Sequence, residues 1–220
     1  MPRQPRVTRS DGDATRVRIL EAAGRLIARS GYADVTSKDV AAKAGVDLAS
    51  INYHFGSRSG LYDAVLTEAH RRLVNLDELQ KLIGSDLEPE AQLYGLFKLL
   101  LTRTKQPQAW PISVLGREIF SPSSHLRTLR EGEVEPKLSL ILKILENMTG
   151  IPERDPLLLQ CLVSVAAPCM MLLISRKGVS PIADGLSQVP DDVLAEQLCH
   201  FAVGGLDAVR KRYKKVADDV

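Results

Sequence analysis

The sequence predicts an all-α fold in two parts, and two observations carry that reading. Apolar residues recur at spacings of three and four along most of the 220 residues, and no stretch shows the period of two that a half-buried strand needs. The punctuation also changes along the chain. Gly31, Gly45 and Gly56 break short helices in the first quarter, whereas prolines mark the breaks between longer helices beyond Asn75.

Val17, Leu20, Ala23 and Ile27 trace one face of a helix over 15–30, ended by Gly31. Thr36, with Asp39 three residues on, resembles a capping box for a helix of barely two turns over 37–44 that stops at Gly45. Asp47 is placed to cap a third short helix that Gly56 breaks, and Ser57 to cap a longer one whose Leu61, Val65, Ala69 and Leu73 share a face. Five further helices are expected at 90–104, 111–120, 124–148, 156–176 and 191–215. Pro136 and Pro168 fall inside two of them, so a kink or a restart is expected at each. The Gly-, Ser- and Pro-rich stretch 177–190 reads as a surface loop.

With 45% hydrophobic and 25% charged residues the composition is that of a globular protein, neither disordered nor fibrous. The first fourteen residues hold no apolar run able to act as a signal-peptide core, so a cytoplasmic location is expected. Cys161, Cys169 and Cys199 lie in apolar helical stretches and read as buried free thiols. Residues 157–174 are long enough to span a membrane, but Gln160, Ser164, Pro168 and the lack of a second such segment favour burial. There is no Walker loop, dinucleotide turn, nucleophile elbow or His-Glu-x-x-His, so no enzyme and no cofactor are expected. The Cys199-His200 pair lacks the ligand count of a metal site.

Net charge is only +2, yet its distribution is uneven: up to Arg58 there are ten Lys and Arg against six acids. The positive end coincides with the most informative segment, residues 36–55. There Ala41 is small where two helices cross, Gly45 supplies a left-handed turn, and Val40, Val46 and Ile51 point inward to lock the pair. That frees the second helix to enter a DNA major groove with Leu48, Ala49, Ser50, Asn52 and Tyr53 outward, Asn52 being suited to adenine. Tyr53, His54 and Arg58 are suited to phosphate oxygens.

The first sixty residues resemble the DNA-binding domain of the TetR family of regulators. The likeness rests on Ser30-Gly31-Tyr32, on Thr36 before the short helix, on Ala44-Gly45-Val46, and on Tyr53-His54-Phe55 followed by Ser57-Arg58 and Leu61-Tyr62. The resemblance implies phosphate contact from Thr36, Ser37, Tyr53, His54 and Arg58, base contact from Leu48, Ala49, Ser50 and Asn52, and either from Lys38. Asp47, Ala49 and Asn52 depart from the residues common in the family, so no operator sequence carries over.

Residues 87–215 resemble the ligand-binding domain of the CecR-like branch, the cues being Ile51-Asn52-Tyr53-His54-Phe55 with Arg117-Glu118 and Ser121-Pro122-Ser123. This implies a homodimer in which the last two long helices pack against their copies. Residue chemistry agrees, because 157–174 is too apolar for one small domain to bury on all sides. Leu162, Ala166 and Leu173, with the stripe Leu194, Leu198, Ala202, Gly205 and Val209, are the expected interface. Candidates for lining a pocket are Tyr94, Phe97, Leu101, Trp110 and Phe120, with Cys161, Cys169 and Met170, although packed core is the commoner fate of such residues. Arg117-Glu118 and His125 fit either a pocket or a surface ion pair.

The expected organisation is a flexible basic arm (1–14), a three-helix bundle containing the helix-turn-helix (15–60), and a helical ligand-binding and dimerisation domain (61–220). The expected function is regulation of transcription, with double-stranded operator DNA and an unidentified small-molecule effector as partners. A repressor released from a palindromic operator by that effector is the leading reading, and an activator of the same architecture is the alternative.

Overall fold

The computed structural model describes residues 9–104, 110–174 and 181–218, and every regular element among them is helical. In order they are α1 (Arg9–Ser30), α2 (Ser37–Ala44), α3 (Leu48–Phe55), α4 (Arg58–Leu73), α5 (Leu76–Ile83), α6 (Pro89–Thr104), α7 (Trp110–Phe120), α8 (Leu126–Leu129), a π turn (Arg130–Val134), α9 (Glu135–Thr149), α10 (Pro156–Ile174), α11 (Pro181–Leu186) and α12 (Asp191–Asp218).

Local chemistry sets the first four. Thr36 Oγ1 accepts from the Asp39 amide at 3.2 Å while Asp39 Oδ2 accepts from the Thr36 amide at 2.9 Å, a complete capping box. Gly45, at φ 66°, turns the chain in the left-handed region and closes α2. Asp47 Oδ1 accepts from the Ser50 amide at 2.7 Å to start α3, and Ser57 Oγ accepts from the Gly60 amide at 3.0 Å to start α4. Leu20, Ala23 and Ile27 of α1, Val40 of α2, Ile51 of α3 and Leu61, Val65 and Ala69 of α4 are buried together. Val17, expected on the inner stripe, is 51% exposed.

α4 packs on α1 and α3 at one end and on α7, α8 and the π turn further along. The junction closes over Trp110, whose indole lies so close to Gly24 of α1 that a Cβ there would sit 2.5 Å from the ring. Trp110 Nε1 donates to Glu21 at 3.2 Å, and Arg72 of α4, which is paired with Glu21 and Glu68, lies over the indole face.

The expected and observed elements differ in four places. α1 starts at Arg9, so residues 9–14 of the expected arm are helical; residues 1–8 lie outside the described residues. α5 is an addition to the expected set: Asn75 caps it by accepting from the Asp77 and Glu78 amides, and in eight residues it buries only Leu79 fully, too little to show as a period. The expected helix 124–148 starts at Leu126 and runs on to Thr149 through α8, the π turn and α9, the π turn lying directly before Pro136, where a kink or restart is expected. Pro168, by contrast, lies inside α10 without ending it. Part of the expected loop 177–190 forms α11, and its first four residues lie outside the described set.

α10 is long and apolar enough to cross a membrane by length and composition. It packs on α6, α7, α9 and α12, and it leaves Leu159, Val163 and Met171 exposed.

Because the Trp110 ring is rigid and wedged, a Gly24→Ala substitution is expected to separate α1 from α7 and to lower unfolding stability by about 1–3 kcal/mol in urea titrations. Ala at Gly132, where a Cβ meets nothing within 4 Å, is the matched control without such an overlap.

Candidate nucleic-acid interface and cavity

α3 is anchored by one fully buried side chain, Ile51, while Leu48, Ala49, Asn52 and Tyr53 are exposed and Ser50 and His54 half-buried. Tyr53 is 85% exposed, and the His54 ring stands edge-on to it at 5.0 Å between centroids. At the start of α2, Thr36 and Lys38 are exposed and Ser37 is half-buried. The helix-turn-helix thus gathers the expected contact residues of α2 and α3 on two adjoining short helices.

Two of their hydroxyls are already engaged. Thr36 Oγ1 donates to Asp39 Oδ2, and Ser50 Oγ donates to Asp47 Oδ1, each at 2.6 Å. These hydroxyl bonds, followed by those from the backbone amides, hold both carboxyls below the usual carboxylate range. Thr36 and Ser50 therefore fix helix starts, and Asn52, Tyr53 and Lys38 are the polar side chains that stand outward.

Arg58, expected to grip phosphate, is exposed, and its guanidinium is bonded to backbone carbonyls. Its Nε donates to the Val35 carbonyl at 2.9 Å, its Nη2 donates to Ala33 at 3.1 Å and also to Tyr32, and its guanidinium lies 4.2 Å over the Tyr32 ring. The fork of donors closes the α1–α2 connection onto the start of α4 as a structural clamp.

Beneath α4 lies a cavity of about 340 Å³, at the small end of the range for ligand sites. Leu93, Leu96 and Phe97 of α6, Leu115 of α7, and Leu162, Ala166, Cys169 and Met170 of α10 supply much of an apolar wall. Two ionisable side chains interrupt it, Glu118 and His70. Glu118, 5% exposed, accepts from the Tyr62 hydroxyl at 2.6 Å and from the Ser123 amide and hydroxyl at 3.0 and 2.9 Å. Burial, reinforced by the bond to Glu118, raises the Tyr62 phenol well above its usual value, so its hydroxyl stays a donor.

His70 Nδ1 sits 3.0 Å from the Nζ of buried Lys137, which in turn pairs with Glu133 at 2.7 Å; Arg71 bonds the same carboxylate. Burial first, and then the Lys137 charge, push His70 down to about 4, so the imidazole facing the cavity is neutral at pH 7. Burial alone pushes the Cys169 thiol up to about 12.

Phe97, Cys169 and Met170 are the expected pocket residues that line the cavity. The others lie elsewhere. Leu101 and Cys161 are packed core, and Tyr94 is half-buried with Lys98 above its ring. Trp110 fills the α1–α7 junction. Arg117 is exposed and donates to the Arg29 carbonyl at 3.3 Å, while Phe120 is 73% exposed. His125 pairs with Asp63 at 2.7 Å and stands edge-on to Tyr32 and Tyr62.

The residues of the expected dimer stripe are spread over several environments in the single chain. Leu162 and Ala166 face the cavity, Leu173 and Ala202 are buried, Leu194, Leu198 and Val209 are half-buried, and only Gly205 is exposed. The apolar face left open carries Leu159, Val163 and Met171 of α10 and Val193 and Phe201 of α12.

Sequence reasoning passes over Tyr62 as a site residue and leaves Glu118 open between a pocket and a surface ion pair. One sign of Glu118 is available: Trp110, Val114 and Glu118 follow at intervals of four, which puts an acid on the buried stripe of α7.

Comparison with known proteins adds independent findings. Residues 19–65 match the family model for bacterial regulatory proteins of the tetR family, and residues 89–206 match the C-terminal domain of the HTH-type transcriptional dual regulator CecR. Over 96 residues the chain is 33% identical to the HTH-type transcriptional regulator TtgR of Pseudomonas putida, covering 44% of this chain and 43% of that protein. Over 54 residues it is 41% identical to the uncharacterized HTH-type transcriptional regulator YvkB of Bacillus subtilis, covering 24% and 29%. The chain therefore spans less than half the length of these relatives.

Solved structures align over nearly the whole chain. A TetR-like transcriptional regulator from Rhodococcus sp. RHA1 has a TM-score of 0.66 at 19% identity, covering 93% of this chain and 99% of that one. The fatty acid degradation regulator FadR from Bacillus halodurans has a TM-score of 0.64 at 16% identity, covering 94% and 98%. These likenesses establish a shared fold.

Two measurements test the assignments above. Arg58→Ala removes a clamp on three carbonyls and is expected to lower thermal stability, by about 1–3 kcal/mol, together with DNA affinity; a loss of affinity at unchanged stability would assign Arg58 to phosphate contact. His70 binds its proton near pH 4 when folded and near 6.5 when unfolded. Its contribution to stability is therefore complete above pH 6.5 and lost as pH falls toward 4, by up to about 3 kcal/mol, and His70→Gln should flatten that part of the stability profile.

Proposed function

Because this chain belongs to the TetR family of bacterial transcriptional regulators, we propose that it binds a palindromic operator as a homodimer and releases it when a small molecule fills the cavity beneath α4. The observation that carries this reading is the placement of α4. Its first residue follows the α3 end closely, and its last turns, at His70 and Leu73, form cavity wall. Anything that changes the cavity's shape acts on the helix that aims α3.

The roles at the DNA follow from exposure. Asn52, with Leu48 and Ala49, is placed to meet base edges, and Lys38, Ser37, Tyr53 and His54 to meet phosphates. The open face of Leu159, Val163, Met171 and Phe201 is the surface that a second copy would cover, building a four-helix interface from two copies of α10 and α12. In such a dimer the two α3 helices must lie about 34–36 Å apart to enter successive major grooves. Since the family model for the C-terminal part describes a dual regulator, activation at some sites is the second reading.

Fluorescence anisotropy on a duplex selected from genomic fragments tests the roles. Asn52→Ala is expected to cost about 1–3 kcal/mol through one base pair and to relax preference there. Lys38→Ala is expected to weaken all sequences alike and to reduce the salt slope by about one. Equal, sequence-independent losses for both variants would contradict this division of labour, and affinity insensitive to salt would contradict DNA binding itself.

A further inference from the structure

The exposed wall of the cavity is almost wholly apolar, and the buried carboxylate of Glu118 lies just behind it. His70 is neutral, the remaining lining is apolar, and Glu118 is the single acid among the lining residues. Its hydrogen-bond partners are the Tyr62 hydroxyl and the Ser123 amide and hydroxyl, all neutral donors, so the anion is held by dipoles and not by a countercharge. A buried carboxylate in that setting gains from a cation or a further donor and repels a second anion.

One of those partners leads directly to the DNA-reading unit. The Tyr62 ring stacks on Tyr32 at 4.1 Å and 11°, and Tyr32 in turn lies under the Arg58 guanidinium, which clamps the α1–α2 connection to the first turn of α4. His125 touches both rings and pairs with Asp63 of the same helix. Glu118 is thus within two contacts of the segment that orients α2 and α3.

Building on the reading of this cavity as the effector site, we infer that the effector is an apolar molecule bearing one hydrogen-bond donor or positive charge, and that Glu118 takes that group in place of the Tyr62 hydroxyl. The exchange releases the Tyr62 hydroxyl from Glu118, loosens the Tyr62 stack on Tyr32, and frees the Arg58 clamp. Carboxylates of the same size are rejected by the charge of Glu118. Head-group recognition and the signal to α3 therefore share one carboxylate.

The test titrates the full chain with three probes that share one ten-carbon tail: n-decylammonium, n-decanol and n-decanoate. Emission of Trp110, the sole tryptophan, and thermal unfolding report binding, and anisotropy of the selected duplex reports release. The expected order of affinity is ammonium, then alcohol, then carboxylate, with at least about tenfold between the ends. Glu118→Gln should shrink that preference to about twofold or less. Tyr62→Phe keeps the ring stack, so it serves even where Glu118→Gln folds poorly. It is expected to bind n-decylammonium, to hold DNA more weakly without any probe, and to show no further release on adding it.

Decanoate binding as tightly as decylammonium, a head-group preference that survives Glu118→Gln, or probe-driven release from Tyr62→Phe equal to that of the unsubstituted protein would each overturn the inference. If all three probes bind and release DNA equally well, the cavity remains the effector site and only the role of Glu118 falls. If none moves Trp110 emission or thermal stability, the effector site falls with it.

Discussion

α4 has to serve the shared core and the cavity wall at once. Leu61, Val65 and Ala69 are buried with α1, Val40 and Ile51, whereas His70, Leu73 and the following Val74 form wall in a different space. A helix that packs on both sides cannot shift at one end without disturbing the other, because close-packed interiors pass displacement on and do not absorb it. The rest of the arrangement reinforces this constraint: Ser57 and Gly60 fix where α4 begins, Trp110 wedges α7 against α1, and Arg72 ties α4 to Glu21.

Polar chemistry is concentrated where α4 meets the cavity. Tyr62 with Glu118, His125 with Asp63, and the Arg71–Glu133–Lys137–His70 cluster all lie on or against this one helix. Buried groups of this kind contribute less to net stability than apolar packing of equal volume, and they tolerate few arrangements, since each lost partner leaves a desolvated group behind. They give α4 a small set of defined positions, which suits a helix that must be either in or out of register with DNA.

Local features are legible in the sequence, and those that depend on distant partners are hidden. Thr36, Gly45, Asp47 and Ser57 announce the first helices because a cap and the amide it serves lie within three residues. The clamp made by Arg58 is hidden because its acceptors, the carbonyls of Tyr32, Ala33 and Val35, are more than twenty residues away and carry no side-chain signature. Period alone cannot assign the faces of α10, because that helix is apolar all round and Leu162 toward the cavity and Val163 toward the exterior look alike in sequence. Trp110 and Phe120 are reasonable candidates by type, and it is tertiary packing that sends one into a helix junction and the other to the surface.

Cys169 adds a chemical consequence. Its thiol borders the cavity, yet burial keeps it protonated at neutral pH, and the protonated form is a poor nucleophile. An electrophile or peroxide lodged there meets an unreactive sulfur and leaves no covalent mark. On the proposed effector reading, occupancy is then recorded only while the guest stays, and the output follows a changing concentration in both directions.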